Sequence, residues 1–231
     1  METVDGRRVW DISPPLTPGL AVFPGDTPLE REILARREHG DSVTLSTLRA
    51  TVHLGAHVDA PLHYGTGAAP VDAVPLDRVL GRCRLVRPPA DAAPAGRLTA
   101  DGLAAALDRL AATSGTGGGD LPPRVLVATD SHPDPARWTD RFTALDALAI
   151  DWLAGAGVRT VGVDTPSVDP ADSTELPAHA AVLRHGMTIV EGLRLEGVPQ
   201  GDYELIALPL RLVGFDGSPV RAVLRELSEQ A

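Results

Sequence analysis

His53-Leu54-Gly55-Ala56-His57-Val58-Asp59-Ala60-Pro61-Leu62-His63 is the stretch on which the reading of this chain turns. Three of the seven histidines and an aspartate fall within it, with no other charged side chain among them. Neutral imidazole and carboxylate are the ligands that borderline divalent ions such as zinc prefer. A continuous helix would put His53 and His57 on one face, but Gly55 and Pro61 both oppose a helix. A straight strand fails as well. At roughly 3.3 Å per residue the two rings would stand about 13 Å apart, too far to share an ion held about 2 Å from each nitrogen. If both hold one metal, the chain has to double back, and Gly55 is the residue that permits it.

Outward from this loop, the run Ser42 to Val52 alternates apolar and polar residues and predicts a strand that delivers the loop at its end. Residues 9–12 read as a short strand, and Pro24-Gly25-Asp26 as a turn. Cys83 to Val86, Arg124 to Thr129 and Val158 to Val163 are apolar runs that predict buried strands. Leu103, Leu107 and Leu110 keep helical spacing behind Thr99 as N-cap, and a second helix is expected across Ala144 to Ala154. His179 to His185 predicts a further helix. Thr188 to Glu191, Glu204 to Leu210 and Val220 to Leu227 read as strands. Strand, helix, strand with continuous apolar runs implies a βαβ crossover. The expectation is a single α/β domain over 1–231, with a mixed β-sheet flanked by helices. Its one irregularity is a Gly-rich loop near 113–121, which lacks the Gly-Lys-Ser/Thr of a phosphate loop and reads as a flexible insertion.

The formal charge of −10, with every basic residue an arginine, disfavours nucleic acid and anionic membranes as partners. No apolar stretch reaches about 18 residues, so neither a membrane span nor a signal peptide is expected. The single cysteine, Cys83, excludes an internal disulfide, suits a reducing cytoplasm and reads as a packing residue rather than a nucleophile.

The pattern His-x-Gly-Ala-His-x-Asp-x-Pro-x-His resembles the signature of metal-dependent, cyclase-like hydrolases. Within them the chain is most similar to the bacterial kynurenine formamidases (arylformamidases). Trp-Asp-Ile-Ser-Pro-Pro-Leu at 10–16, Pro-Gly-Asp-Thr-Pro at 24–28, Gly-Val-Asp-Thr-Pro-Ser-Val-Asp-Pro at 162–170 and the run at 201–212 carry the same resemblance. It implies a fold of the swivelling β/β/α type, a homodimer, and hydrolysis of N-formylkynurenine to kynurenine and formate in tryptophan degradation.

The resemblance also implies a ligand set: His53, His57 and Asp59 on one zinc ion, and Asp59 bridging to a second zinc held by His179, with Glu191 touching both. An acid directly after Ile189-Val190 suits a buried strand only if it is paired or liganded. His185 ranks behind His179 as a ligand. His63 is the expected general acid/base for the aniline-type leaving nitrogen, with a further metal ligand as its other reading. Asp164 either orients a ligating imidazole or caps the turn at Pro166. Where the formamidases carry a substrate-contacting Trp, this chain has Phe23, which keeps an aromatic wall but loses the N–H donor. Ala56 stands where the wider family often has Thr. Two alternatives remain beside this reading: a related metal-dependent amide or lactone hydrolase with another substrate, and a non-catalytic metal-binding protein.

Overall fold

The computed structural model describes residues 1–114 and 120–228. The expected Gly-rich insertion therefore falls largely outside the described residues. The chain begins with β1 (Glu2–Val4), β2 (Arg7–Asp11), β3 (Glu30–Ala35), β4 (Leu45–Arg49), β5 (His57–Asp59) and α1 (Pro61–Tyr64). It continues through α2 (Leu76–Val79), β6 (Leu80–Val86), β7 (Arg97–Leu98), α3 (Ala100–Ser114), β8 (Arg124–Val127), β9 (Ala144–Leu145) and α4 (Ala147–Gly155). The last elements are β10 (Thr160–Val163), α5 (Pro177–His185), β11 (Thr188–Glu191), β12 (Gly201–Ile206), β13 (Gly217–Pro219) and β14 (Val223–Glu226).

Ten strands form one sheet in the order β1-β2-β14-β12-β6-β8-β10-β11-β5-β13. The centre, β6-β8-β10-β11, is parallel, and the strands on either side join it antiparallel. The mixed sheet and the βαβ crossover are as expected: β8, α4 and β10 make that unit, and β8 pairs with β10 in parallel. Alternation along the central strands divides the core in two. Val125, Val127, Val161, Val163 and Ile189 pack under α3, α4 and α5. Leu126 and Val190 face the opposite way and join Trp10, Val58, Leu85, Tyr203 and Leu224. Because both faces are covered, these strands read in the sequence as unbroken apolar runs rather than as alternations.

The helices start where the chemistry of their first residues allows. Thr99 Oγ1 accepts the Gly102 N–H at 3.1 Å at the head of α3. Asp146 accepts the Leu148 N–H at 2.9 Å at the head of α4, so this helix begins three residues later than expected. The clearest departure is the run from Ser42. It forms β4, but among the described residues β4 pairs only with β3 in a separate two-stranded arm, and all of its residues are exposed. The alternation there marks a solvated ribbon, not a strand of the main sheet.

A buried histidine and carboxylate cluster on a strand, a turn and a helix

The histidine stretch is neither one loop nor one strand. It is a turn through Gly55 (φ +61°), a strand (β5), and a four-residue helix with Pro61 at its first position. Alternation along β5 sends His57 and Asp59 to one face while Val58 enters the core on the other. In the antiparallel pairing of β5 with β11, Glu191 stands directly opposite His57. Their side chains share the face, with His57 Nε2 at 3.4 Å from Glu191 Oε2. The turn then brings His53 back over the strand, its Nδ1 at 2.9 Å from Asp59 Oδ1. This is the doubling back that the spacing required.

His179 arrives from the first turn of α5. Its Nε2 lies 3.5 Å from Asp59 Oδ2 and 3.8 Å from Glu191 Oε1. The five residues picked out in the sequence as metal ligands are thus brought together, and His57, Asp59, His179 and Glu191 are all buried. Four ionisable groups removed from water are costly unless they are paired or liganded.

Three observations show that the cluster suits a divalent metal. Asp59 Oδ2 is buried without a hydrogen-bond partner. The nitrogen-to-oxygen separations from His57 and His179, 3.3 Å to 3.8 Å, are long for charge-assisted hydrogen bonds. The shorter of them, 3.3 Å and 3.4 Å, come close to the spacing of about 3.3 Å between ligands disposed tetrahedrally about one ion at about 2.05 Å. Finally, every far ring nitrogen is held. His57 Nδ1 donates to the Gly55 carbonyl at 2.9 Å, His179 Nδ1 to Asp169 at 2.7 Å, and His53 Nε2 to Asp216 at 3.0 Å. Such bonds fix the tautomer that leaves the near nitrogen free for a metal.

The electrostatics agree. Burial opposes charge on His57, yet the Asp59 and Glu191 carboxylates outweigh it and push its pKa up to about 10. Burial likewise opposes charge on His179, whose pKa is raised to about 10 by Asp169 and Asp59. Burial opposes the charge on Asp59 too, but His179, His53 and His57 hold its carboxyl well below the usual range. The buried carboxylates favour positive charge beside them, and a divalent cation held there would meet that preference.

His63, from α1, sits at the rim. Its ring centroid is 4.0 Å from that of His53, its Nδ1 is 3.5 Å from Asp216 Oδ2, and about a third of its side chain is exposed. Ligand-capable groups also form as His53, His63 and Asp216, and as Asp59, His63 and His179. The cluster opens into a cavity of about 500 Å³ that Phe23, His132, Trp138, Asp164, Leu176 and Arg194 help to line. Phe23 is 39% exposed and meets Trp138 edge to face.

Several sequence readings change. Asp164 orients no imidazole and caps no turn at Pro166; it accepts hydrogen bonds from the Thr129 N–H and hydroxyl and the Asp130 N–H. His185 pairs with Asp151 at the surface, 2.7 Å away and outside the cluster, in keeping with its expected place behind His179. His132, given no role from the sequence, lines the cavity and keeps a buried, unpartnered Nδ1. Asp169, Asp216 and Trp138 were not found from the sequence. Each is a single residue in a turn or loop, and only long-range contact gives it meaning. Cys83 is buried in the core as expected, and burial pushes its thiol pKa up.

Comparison with known proteins follows the same lines. The Cyclase family model matches residues 10–170. The kynurenine formamidase of Bordetella pertussis is 47% identical over 222 residues, 96% of this chain and 100% of that protein. That of Bordetella petrii is 46% identical over 221 residues, covering 96% and 99%. A solved structure described as a predicted metal-dependent hydrolase, from Bacillus stearothermophilus, superposes with a TM-score of 0.76 at 28% identity over 96% of this chain and 99% of that one. Isatin hydrolase A from Labrenzia aggregata reaches a TM-score of 0.78 at 23% identity, over 95% and 94%, a likeness of fold.

Proposed function

The chain belongs to the cyclase family, among its kynurenine formamidases, and on that premise we propose that it hydrolyses N-formylkynurenine to kynurenine and formate. The observation that carries this reading is the buried convergence of His57, Asp59, His179 and Glu191, with Asp59 Oδ2 lacking a hydrogen-bond partner, at a cavity whose wall includes Phe23.

In this reading His53, His57 and Asp59 would hold one zinc ion, and Asp59 and His179 a second, with Glu191 touching both. A divalent metal held there would supply a water of lowered pKa and a positive charge for the formyl oxygen. The chain's own groups do the rest. Gly55, Asp169 and Asp216 keep the three rings in place through their far nitrogens. The anilide nitrogen is a poor leaving group as an anion, so it needs a proton. His63, at the rim and partly exposed to the cavity, is placed to deliver it and to recover it in the next turnover. Phe23 offers its face to the kynurenine ring.

The assembly in this reading is a homodimer. The β3–β4 arm exposes Leu34, Leu45 and Leu48 with no third strand beside it among the described residues, and a bare two-stranded ribbon is marginal in water. A second copy covering the arm accounts for both features, and light scattering on purified protein tests it. No helix among the described residues is long and apolar enough to cross a membrane. A lone buried cysteine fits a reducing cytoplasm.

The deciding experiment measures turnover of N-formylkynurenine by zinc-loaded protein beside formanilides and lactones, with and without chelator. Preference for N-formylkynurenine supports the reading. Failure to hydrolyse it at all, with the metal in place, ends it. Turnover of lactones alone would favour a related hydrolase with another substrate.

A further inference from the structure

We propose that Trp138 is a second specificity-determining residue, forming with Phe23 a two-sided aryl subsite; the inference rests on the formamidase reading above. Phe23 and Trp138 lie 115 positions apart in sequence, yet their ring centroids are 4.9 Å apart with planes at 69°. Both line the cavity that contains His57 and His63. The two loops are tied at their bases, the Ala21 N–H donating to the Pro135 carbonyl at 3.0 Å. Each loop is further set by a turn of its own, Asp26 N–H to Phe23 carbonyl at 2.9 Å and Arg137 N–H to Asp134 carbonyl at 3.1 Å.

Two rings at this angle form a corner. A third ring entering it stacks on one and meets the edge of the other, and both arrangements suit the aromatic quadrupole. Neither ring is spent on the core. Phe23 is exposed, Trp138 is half-buried, and neither belongs to the buried clusters beneath the sheet. An aryl formamide carries its ring on the nitrogen of the bond that is cut. With the formyl group at the histidine and carboxylate cluster, the ring lies in the same cavity, where the corner can hold it. A single phenyl wall has less area than an indole; the pair restores it from a different part of the chain.

The test compares wild type, Trp138→Ala, Trp138→Phe, Phe23→Ala and the double variant, all zinc-loaded. Substrates are N-formylkynurenine, formanilide and the ringless N-methylformamide. Trp138→Ala should lower kcat/KM for both aryl substrates about 10- to 100-fold, mostly through KM. The ringless substrate should stay within about twofold, and Trp138→Phe should recover most of the loss because it restores an aromatic face. The double variant separates contact from support. If Trp138 touches the substrate ring, Phe23→Ala with Trp138→Ala is several-fold worse than Phe23→Ala alone. If Trp138 only props Phe23, adding Trp138→Ala to Phe23→Ala changes nothing, and the proposal is overturned. Equal losses on all three substrates with a lowered melting temperature overturn it too. Wild type that cleaves N-methylformamide but neither aryl substrate would remove the formamidase reading itself. Wild type that cleaves all three while Trp138 variants match it removes only this inference.

Discussion

Asp169 grips His179 at two points and its neighbour Ala178 at a third: its carboxylate accepts the Ala178 and His179 backbone N–H groups at 2.9 Å and 3.0 Å and holds the imidazole Nδ1 at 2.7 Å. The residue before α5, Leu176, sits in left-handed conformation (φ 47°) and offers no side-chain cap. Asp169 supplies that cap from the preceding loop. One carboxylate therefore starts the helix and aims the ring that the helix carries. Burial opposes its charge, but His179 and the two N–H groups hold its pKa below the usual value.

Asp169→Asn should keep the shape while losing the charge and one of the two accepting oxygens. Metal affinity should fall about 10- to 100-fold, the usual effect of losing a partner that orients a ligand. Asp169→Ala should add a stability loss of about 0.5–2 kcal/mol for the missing cap. Metal titration and melting curves read the two effects separately. Unchanged metal affinity in both variants would remove the orienting role.

Elemental analysis of active, unchelated protein should find close to two divalent ions per chain. Asp59→Asn should lose more metal than His53→Ala, because Asp59 faces His53, His57 and His179 together. A single ion in fully active protein would replace the dinuclear site with a mononuclear one.

His63→Ala should retain metal and fold while kcat drops about 10²- to 10⁴-fold. Loss of an ion in this variant would instead make His63 a ligand, a role its grouping with Asp59 and His179 also permits.

Gly192, directly after Glu191, has φ +65°, and a Cβ there would stand 2.2 Å from the Gly55 carbonyl oxygen. Gly192→Ala should therefore disturb the turn that carries His53. It combines left-handed strain, about 1–3 kcal/mol, with a backbone clash. Gly197→Ala, at φ +71° with open space around it, should cost only the strain. If the two variants melt alike and bind metal alike, the close approach of the two turns is unimportant.

Stability in acid should depend on Asp202. Burial opposes its charge, but Arg84, at 2.7 Å and 3.0 Å, and Arg82 hold its pKa below the ordinary aspartate value of about 3.9. A depressed folded-state pKa stabilises fully above the unfolded value and is lost as pH falls through the folded one. Asp202→Asn should be less stable at neutral pH, and its stability should change less with pH below about 4 than that of wild type. Parallel curves in acid denaturation would contradict this.

The local pattern of the chain was enough for the strands of the parallel centre, for α3 with its Thr99 cap, and for the crossover of β8, α4 and β10. Those features follow from periodicity and capping, which act over a few residues. The five ligand-type residues came instead from the resemblance to a known signature, and the structure brings their side chains together. The placement of β4 depended on what lies beside it, and an alternating ribbon looks the same in the sequence whether it is paired into a sheet or left at the surface. The partners of the rings were beyond local reading for the same reason. Asp216 meets His53 across 163 residues, Asp169 meets His179 across 10, and Trp138 meets Phe23 only because Ala21 and Pro135 tie two distant loops. The sequence determined where residues of metal-ligating type stand; the pairing of β5 with β11 and the docking of α5 decided that they face one another, because hydrogen-bond register and packing between distant segments set direction.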